Sequence, residues 1–226
     1  MKVTIKLSGH VLFPSLEALP DLKAYVAAIR KVRAMGHLPF VVVGGGEPAR
    51  HMIRLARESG ADESTCDQVG IAMANINALV FARALGDDAF QCVPRDTDEL
   101  DRALSSGKIV VMGGLQPGQS TNAVSCVLAE RSGSTLLVNT TAVDGVYSGD
   151  PKKDPSSKKF SKITIKQLAK LLEGLGTRAG EYDLLDPVAI RIIQRSRILT
   201  KVINGRDPKN ILRAIEGEDI GTTIVP

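Results

Sequence analysis

The stretch Pro39-Phe-Val-Val-Val-Gly-Gly-Gly-Glu-Pro-Ala-Arg50 constrains this chain more than any other. A β-branched run ends in three consecutive glycines, and a helical pattern starts at once, near Glu47. A short apolar run bounded by glycine reads as a buried strand of a parallel sheet. Glycines at its carboxyl end let backbone N–H groups approach a ligand that a Cβ would block. The helix that follows points its positive dipole end at the same place, which suits a phosphate. A plain strand-to-helix turn needs one or two glycines, so three favour anion binding. No Gly-Lys-Ser/Thr follows, which excludes a Walker A loop.

The remainder repeats this strand-then-helix step. Lys2–Leu7 alternates polar and apolar residues and breaks at Ser8-Gly9, giving a strand and a turn. From Asp21, the residues Leu22, Tyr25, Val26, Ile29, Val32 and Met35 keep helical spacing until Gly36. Residues 63–85 form a long helical pattern stopped by Gly86, and Asp96-Thr-Asp-Glu99 reads as a helix-opening box. Further strands are expected at 89–93, 108–112, 135–139, 198–203 and 222–225. Further helices are expected at 121–131, 164–172, from Asp186-Pro187 onward, and at 208–215. Two irregular stretches remain, at 144–159 and 174–182; the first is rich in Gly, Pro, Asp and Ser, as a functional or mobile loop is. Such alternation demands an α/β fold with a mainly parallel sheet covered on both faces.

The chain has 226 residues, 43% apolar and 4% aromatic, with no tryptophan. That supports one large domain with an ample core. The net charge of +4 is spread over interleaved Lys, Arg, Asp and Glu, with little aromatic surface to stack bases, so nucleic acid is not an expected partner. Cys66, Cys92 and Cys126 are odd in number and widely spaced, which reads as free thiols in a reducing cytoplasm. No apolar run approaches the roughly 20 residues of a membrane span. The first residues read as a strand, not as a signal peptide.

In parallel sheets ligands sit at the carboxyl ends of strands. Here those ends carry Ser8-Gly9, Gly44 to Gly46, Gly113 to Gly118 and Thr140 to Asp144. Their convergence implies a site for two phosphate-bearing ligands. Phosphoryl transfer needs positioned cations more than covalent chemistry. Lys6 sits on an otherwise buried strand just before a glycine turn, and Arg50 lies in the first turns of the helix after the triple glycine. Asp67 opens the long helix, and Asp144 follows a strand end, where a carboxylate can orient lysines or a magnesium–nucleotide complex. His10, His37 and His51 show no ligand spacing, so no metal site is assigned to side chains.

Lys6-Leu-Ser-Gly9, Val43-Gly-Gly-Gly46 with Arg50, Gly113-Gly114 and Val143-Asp-Gly-Val-Tyr-Ser-Gly-Asp-Pro151 resemble the amino acid kinase family. The likeness is greatest to its UMP kinase (uridylate kinase) branch of archaeal type, and it runs to Gly221-Thr-Thr-Ile224. The resemblance implies a three-layer αβα sandwich, one domain over 1–226, with a UMP lobe at about 1–135 and an ATP lobe at about 136–226. It implies phosphoryl transfer from MgATP to UMP, giving UDP and ADP for pyrimidine nucleotide synthesis, by a cytoplasmic homohexamer built as a trimer of dimers. Lys6 and Asp144 are then the catalytic residues. Ser8, Gly9, Gly46, Arg50, Thr141, Tyr147 and Asp150 serve ATP, which brings Mg²⁺ with it. Gly45, Asp67 and the run Leu115, Gln116, Pro117, Gly118, Gln119, Ser120, Thr121 serve UMP, with Asp67 accepting from the ribose hydroxyls. Two positions depart from the family pattern. Ala142 stands where relatives place a polar residue, and His10 where they carry Lys, Glu or Ser. Two other readings compete: an isopentenyl phosphate kinase of the same fold, and a non-catalytic nucleotide or oxyanion binder on that scaffold. Those isopentenyl kinases carry a histidine in a Gly-Ser-Phe-Gly-His type run, whereas this chain reads Gly46-Glu-Pro-Ala-Arg50-His51 and retains Asp67.

Overall fold

A computed structural model describes residues 1–17, 21–149, 156–172 and 185–226. Strand β1 (Lys2–Leu7) lies inside its sheet, between β2 and β4. The period-two alternation of β1 sends Val3, Ile5 and Leu7 into one core and turns Thr4 and Lys6 to the opposite face. A single helical turn, α1 (Gly9–Leu12), follows, then α2 (Leu22–Ala34), whose N-cap Asp21 accepts from the Ala24 amide at 3.2 Å. Strand β2 (Leu38–Val43) leads into α3 (Gly46–Glu58) and α4 (Glu63–Leu85), which ends at Gly86 with φ +59°. Helix α5 (Thr97–Leu104), strand β3 (Val111–Met112), α6 (Thr121–Ser132) and β4 (Leu136–Thr141) complete the first part. After these come β5 (Lys162–Thr164), α7 (Ile165–Leu171), α8 (Pro187–Ser196), β6 (Leu199–Asn204), α9 (Lys209–Ile215) and β7 (Thr222–Val225).

The strands form one sheet in the order β3-β2-β1-β4-β6-β7-β5. All neighbouring pairs are parallel except β6 with β7. The chain winds outward from β1 in one direction through β2 and β3, and in the other from β4 through β6. A crevice must therefore open at the carboxyl ends of β1 and β4, the topological switch point where doubly wound sheets hold ligands. Helices α2, α4 and α9 cover one face, with Ile29 and Phe81 buried over the β1–β2 side and Ile211 over β4 and β6. On the other face α5 and α6 pack on Phe40, Val42 and Met112, and α7 and α8 join α6 over Leu137, Val202 and Ile224. This is the three-layer αβα arrangement expected.

Three local expectations need correction. The strand expected at 89–93 is a single bridge, Ala89 with Ile109. Ile109 N–H donates to Asp88 at 3.0 Å and Phe90 N–H to Ile109 at 2.8 Å, and Pro94 then offers no amide to extend the ladder. The strand expected at 108–112 shrinks to Val111 and Met112, which pair with Val41 and Val42 of β2. Strand β5 carries no sequence signal, because three residues are held there only by distant β7. The irregular stretch at 144–159 is zipped at its ends, with Phe160 N–H donating to Val146 at 2.9 Å and Ser148 N–H to Lys158 at 3.0 Å. Residues 150–155 within it, and the second irregular stretch at 174–182, lie outside the described residues. Helix α4 is long and apolar enough, by length and composition, to cross a membrane. In the fold one of its faces buries Ala78, Phe81, Ala82 and Leu85 against the sheet, while Ile76, Leu79 and Val80 stay exposed.

Candidate active site

The glycines first serve the packing of two loops on each other. A Cβ on Gly9 would lie 2.1 Å from the Gly46 nitrogen, and one on Gly44 would lie 2.6 Å from the Gly9 nitrogen. The turns after β1 and β2 are thus pressed backbone to backbone. Gly46 also takes φ +68°, which a side chain would strain. So the close approach that the sequence assigns to a ligand is made, in the first place, by Gly9. Helix α3 starts one residue before Glu47, with Gly45 as its N-cap, and still aims its amino end at the crevice.

Two buried side chains lock these turns. Asn77 on α4 donates to the Gly44 and Gly45 carbonyls at 3.0 and 2.9 Å. Thr140 Oγ1 on β4 accepts from the Ser8 amide at 2.9 Å and donates to the Lys6 carbonyl at 3.0 Å. Gly205 presses on Thr140 so closely that a Cβ there would sit 2.5 Å from the Thr140 Cβ. Tyr25 holds the Gly205 carbonyl from behind at 2.7 Å, and burial pushes the Tyr25 phenol up to about 12.

The turns floor a cleft of about 140 Å³. Lys6, 7% exposed, enters it from β1, and Ser8, Gly9, Gly45 and Gly46 line it with Arg50 of α3. Across from them stand Asp67 of α4 and the residues Gln119, Ser120 and Thr121 leading into α6. Asp67 is already engaged on one oxygen, because Oδ2 accepts from the Gly118 amide at 2.8 Å. A carboxylate offers about four lone-pair sites, so it can still accept from a ligand. Gln119 Oε1 is buried with no hydrogen-bond donor among the described residues. A buried orphan acceptor in a cleft wall calls for a donor from a ligand.

The other expected site residues lie elsewhere. Leu115 and Pro117 line a groove on the far side of α4, and Gln116 is exposed. Thr141 and Asp144 sit at the end of β4 beside β6, and Tyr147 is bridged to Lys159 further along, all outside the cleft that holds Lys6. Asp144 accepts there from Asn204 Nδ2 at 2.8 Å. Asp150 lies outside the described residues.

The sequence reading also passed over residues that hold the site. Asp186, only 2% exposed, caps α8 through the Ala189 amide at 2.8 Å. Its other oxygen accepts from the Ser120 hydroxyl and, at 3.3 Å, from the Ser120 amide. One carboxylate therefore ties the start of α8 to the start of α6. Asn122 and Asn139 are paired under the cleft at 3.2 Å. In sequence, Asp186-Pro187 carries only the signal of a helix cap, and the asparagines carry none. Cys126 is buried near Asp186, and burial first, then that carboxylate, pushes its thiol up, so it stays protonated.

A crevice at the switch point of a doubly wound sheet, with paired glycine turns, a buried lysine and an arginine, defines a phosphate-handling α/β protein. The chain belongs to the amino acid kinase family, which its residues 1–204 match. It is 42% identical to the uridylate kinase of Methanothermobacter thermautotrophicus over 226 residues, the full length of both chains. With that of Methanoculleus marisnigri the identity is 43% over 224 residues, covering 99% and 95%. Among solved structures it is similar to the uridylate kinase of Archaeoglobus fulgidus, with a TM-score of 0.86, 40% identity and 100% of each chain covered. For the UMP kinase of Bacillus anthracis the TM-score is 0.82 at 25% identity, covering 99% and 95%.

Proposed function

We propose that the chain transfers the γ-phosphoryl group of ATP to UMP, giving UDP and ADP for pyrimidine nucleotide (UTP and CTP) synthesis. The observation that carries this is one cleft uniting Lys6, the two glycine turns and Arg50 with Asp67 and the Gln119–Thr121 approach to α6. Uridylate kinases similar along the whole chain support it.

In this reading Ser8, Gly9 and Gly46 lie against the donor phosphates, and Arg50 neutralises them. The amino end of α6, at Ser120 and Thr121, receives the acceptor phosphate, as helix starts do. An acceptor oxygen attacks the γ-phosphorus in line, and the bond to the ADP oxygen breaks. Lys6 faces the charge gathering on the three equatorial oxygens. Asp67 and Gly45 hold the nucleoside part of UMP, with Leu115 to Gly118 closing over it. Thr141, Tyr147 and Asp150 hold the nucleoside part of ATP, and Asp144 orients the cations. Among the described residues no three His, Cys, Asp or Glu side chains converge as a metal site. Mg²⁺ would arrive on the ATP phosphates, where it shields their charge. Residues 1–135 would form the acceptor lobe, which also brings the glycine turns and Arg50 to the donor phosphates, and 136–226 the lobe that holds the rest of ATP. The assembly we propose is a homohexamer, a trimer of dimers, in the cytoplasm.

The test is a panel of phosphate acceptors offered with MgATP, read as ADP release. UMP should react fastest. A preference for isopentenyl phosphate, or no turnover with any acceptor, would replace this reading with one of its two competitors.

A further inference from the structure

We propose that the side-chain amide of Asn122 holds the phosphate of the acceptor nucleotide and turns it toward Lys6. The proposal deepens the reading of the cleft as the place where UMP is phosphorylated, and it rests on that reading.

Asn122 is the second residue of α6, after the N-cap Ser120 and Thr121, and it lines the same cleft as Lys6, Gly45 and Asp67. Only 2% of it is exposed. Polar groups buried this deeply normally all find partners. Three of its groups do so within the fold. Its backbone N–H donates to the Ser120 hydroxyl oxygen at 3.0 Å, its carbonyl accepts from the Ser125 hydroxyl at 2.6 Å, and Oδ1 accepts from Asn139 Nδ2 at 3.2 Å. The fourth, Nδ2, donates to none of the described residues. With Oδ1 held by Asn139, the amide keeps its nitrogen for whatever enters the cleft.

Its place in the fold says what that is. The start of a helix favours an anion, but here the row of amides that would hold one is largely taken. The Ser120 amide donates to Asp186 at 3.3 Å, and the Asn122 and Ala123 amides donate to the Ser120 hydroxyl oxygen. A phosphate at this helix start therefore needs a side-chain donor, and Asn122 supplies one without adding charge. The second neighbour sets the direction. In the β1–β4 register Asn139 lies opposite Lys6, so the two side chains stand next to each other on one face of the sheet. Asn122, braced on Asn139, is thus brought beside the lysine that faces the migrating group. Gripping one oxygen of the acceptor phosphate from here leaves another free to attack the γ-phosphorus. Turned over, the same amide would present an oxygen and repel the phosphate, so its bond to Asn139 makes Asn139 a positioning residue.

Calorimetric titration with UMP and with uridine isolates what the phosphate adds to binding, because the two ligands differ only there. Wild-type protein should bind UMP more tightly than uridine. Asn122→Ala should shrink that ratio about tenfold or more, as loss of a charge-assisted hydrogen bond does, with uridine binding unchanged. Asn122→Asp keeps an oxygen for Asn139 and the same shape, but replaces the donor by a second oxygen. It should shrink the ratio further, and it gives the answer even where the alanine variant fails to fold. In turnover, both variants should raise the KM for UMP and lower kcat while leaving the KM for MgATP in place. An unchanged ratio in Asn122→Asp, in protein that phosphorylates UMP, would overturn this proposal alone. Equal losses of UMP and uridine affinity would also overturn it, since they mark a residue that only packs. Wild-type protein that binds neither ligand and leaves UMP unphosphorylated would overturn both the proposal and the reading beneath it.

Discussion

Lys6 is a charged residue only 7% exposed on β1, one of the two strands that flank the crevice. If its charge serves the migrating phosphoryl group, Lys6→Ala should lower kcat about 10²–10³-fold, as loss of one electrostatic donor does. The KM values for UMP and ATP should change little, because the interaction strengthens only in the transition state. Near-normal kcat in this variant would make Lys6 a strand residue alone. Asp67 belongs to the same scale. A charge-assisted hydrogen bond contributes about 1.5–3 kcal/mol, or roughly 10–150-fold in binding. Asp67→Ala should raise the UMP KM by about that factor and erase most of the preference for UMP over 2′-deoxy-UMP. Its bond to the Gly118 amide adds a second effect, since the variant also frees the loop that closes the acceptor side. Comparing Asp67→Asn, which keeps an acceptor oxygen for Gly118, separates the two.

Elements meet the site through few contacts, and Thr140 is the most exposed to a single change. Its hydroxyl joins β4 to both ends of the Lys6–Ser8 segment. Thr140→Val keeps the shape but strands a buried amide and a buried carbonyl, a loss of about 1–3 kcal/mol. We expect it to lower kcat/KM for MgATP about tenfold, with Thr140→Ser restoring most of it. Equal losses in both variants would show that packing, and not the hydroxyl, matters there. The joint between α6 and α8 behaves differently. The Arg195 guanidinium, hydrogen-bonded at 3.0 Å, holds the Glu130 carboxyl below its usual range. A carboxylate depressed in the folded state stabilises above its unfolded value, near 4.3, and that stability is lost as pH falls through the folded value. Both side chains are well exposed, 64% and 34%, so the effect is small. Glu130→Gln should lower the melting temperature by about 1–3 °C at pH 7. The gap should close near pH 3 when both proteins are melted side by side.

For the whole molecule, the exposed flank of α4 is the feature a lone chain explains least. Ile76, Leu79 and Val80 are 53%, 41% and 44% exposed on one helix. An apolar flank of this kind marks an interaction surface more often than chance. If the chain assembles as proposed, light scattering should give a mass near six times 24.1 kDa. Paired substitutions Ile76→Asp and Leu79→Asp should shift it toward smaller species without unfolding the chain, since both side chains already face outward. A wild-type monomer would remove the hexamer.

Periodicity along the chain was enough to place nearly every helix, because capping, glycine stops and apolar spacing are local. Asp21, Asp186 and Gly86 act where the sequence alone puts them. The strand–helix alternation likewise determined a mainly parallel sheet and, through the carboxyl ends of its strands, the edge where a site must lie. Strand length and direction were decided elsewhere. The three residues of β5, the single bridge at Ala89 and the antiparallel turn of β7 depend on partners far along the chain. The same division runs through the site. Lys6, Arg50 and Asp67 are legible as charges in unusual places, but which of them share a cleft is a matter of sheet order. Only tertiary structure could show that Gly9 and Gly46 fit one another, or that Thr140, Asn77 and Asp186 hold the loops in place. These residues act through contacts 32 to 134 positions apart, and no local pattern in a sequence encodes a neighbour at that range.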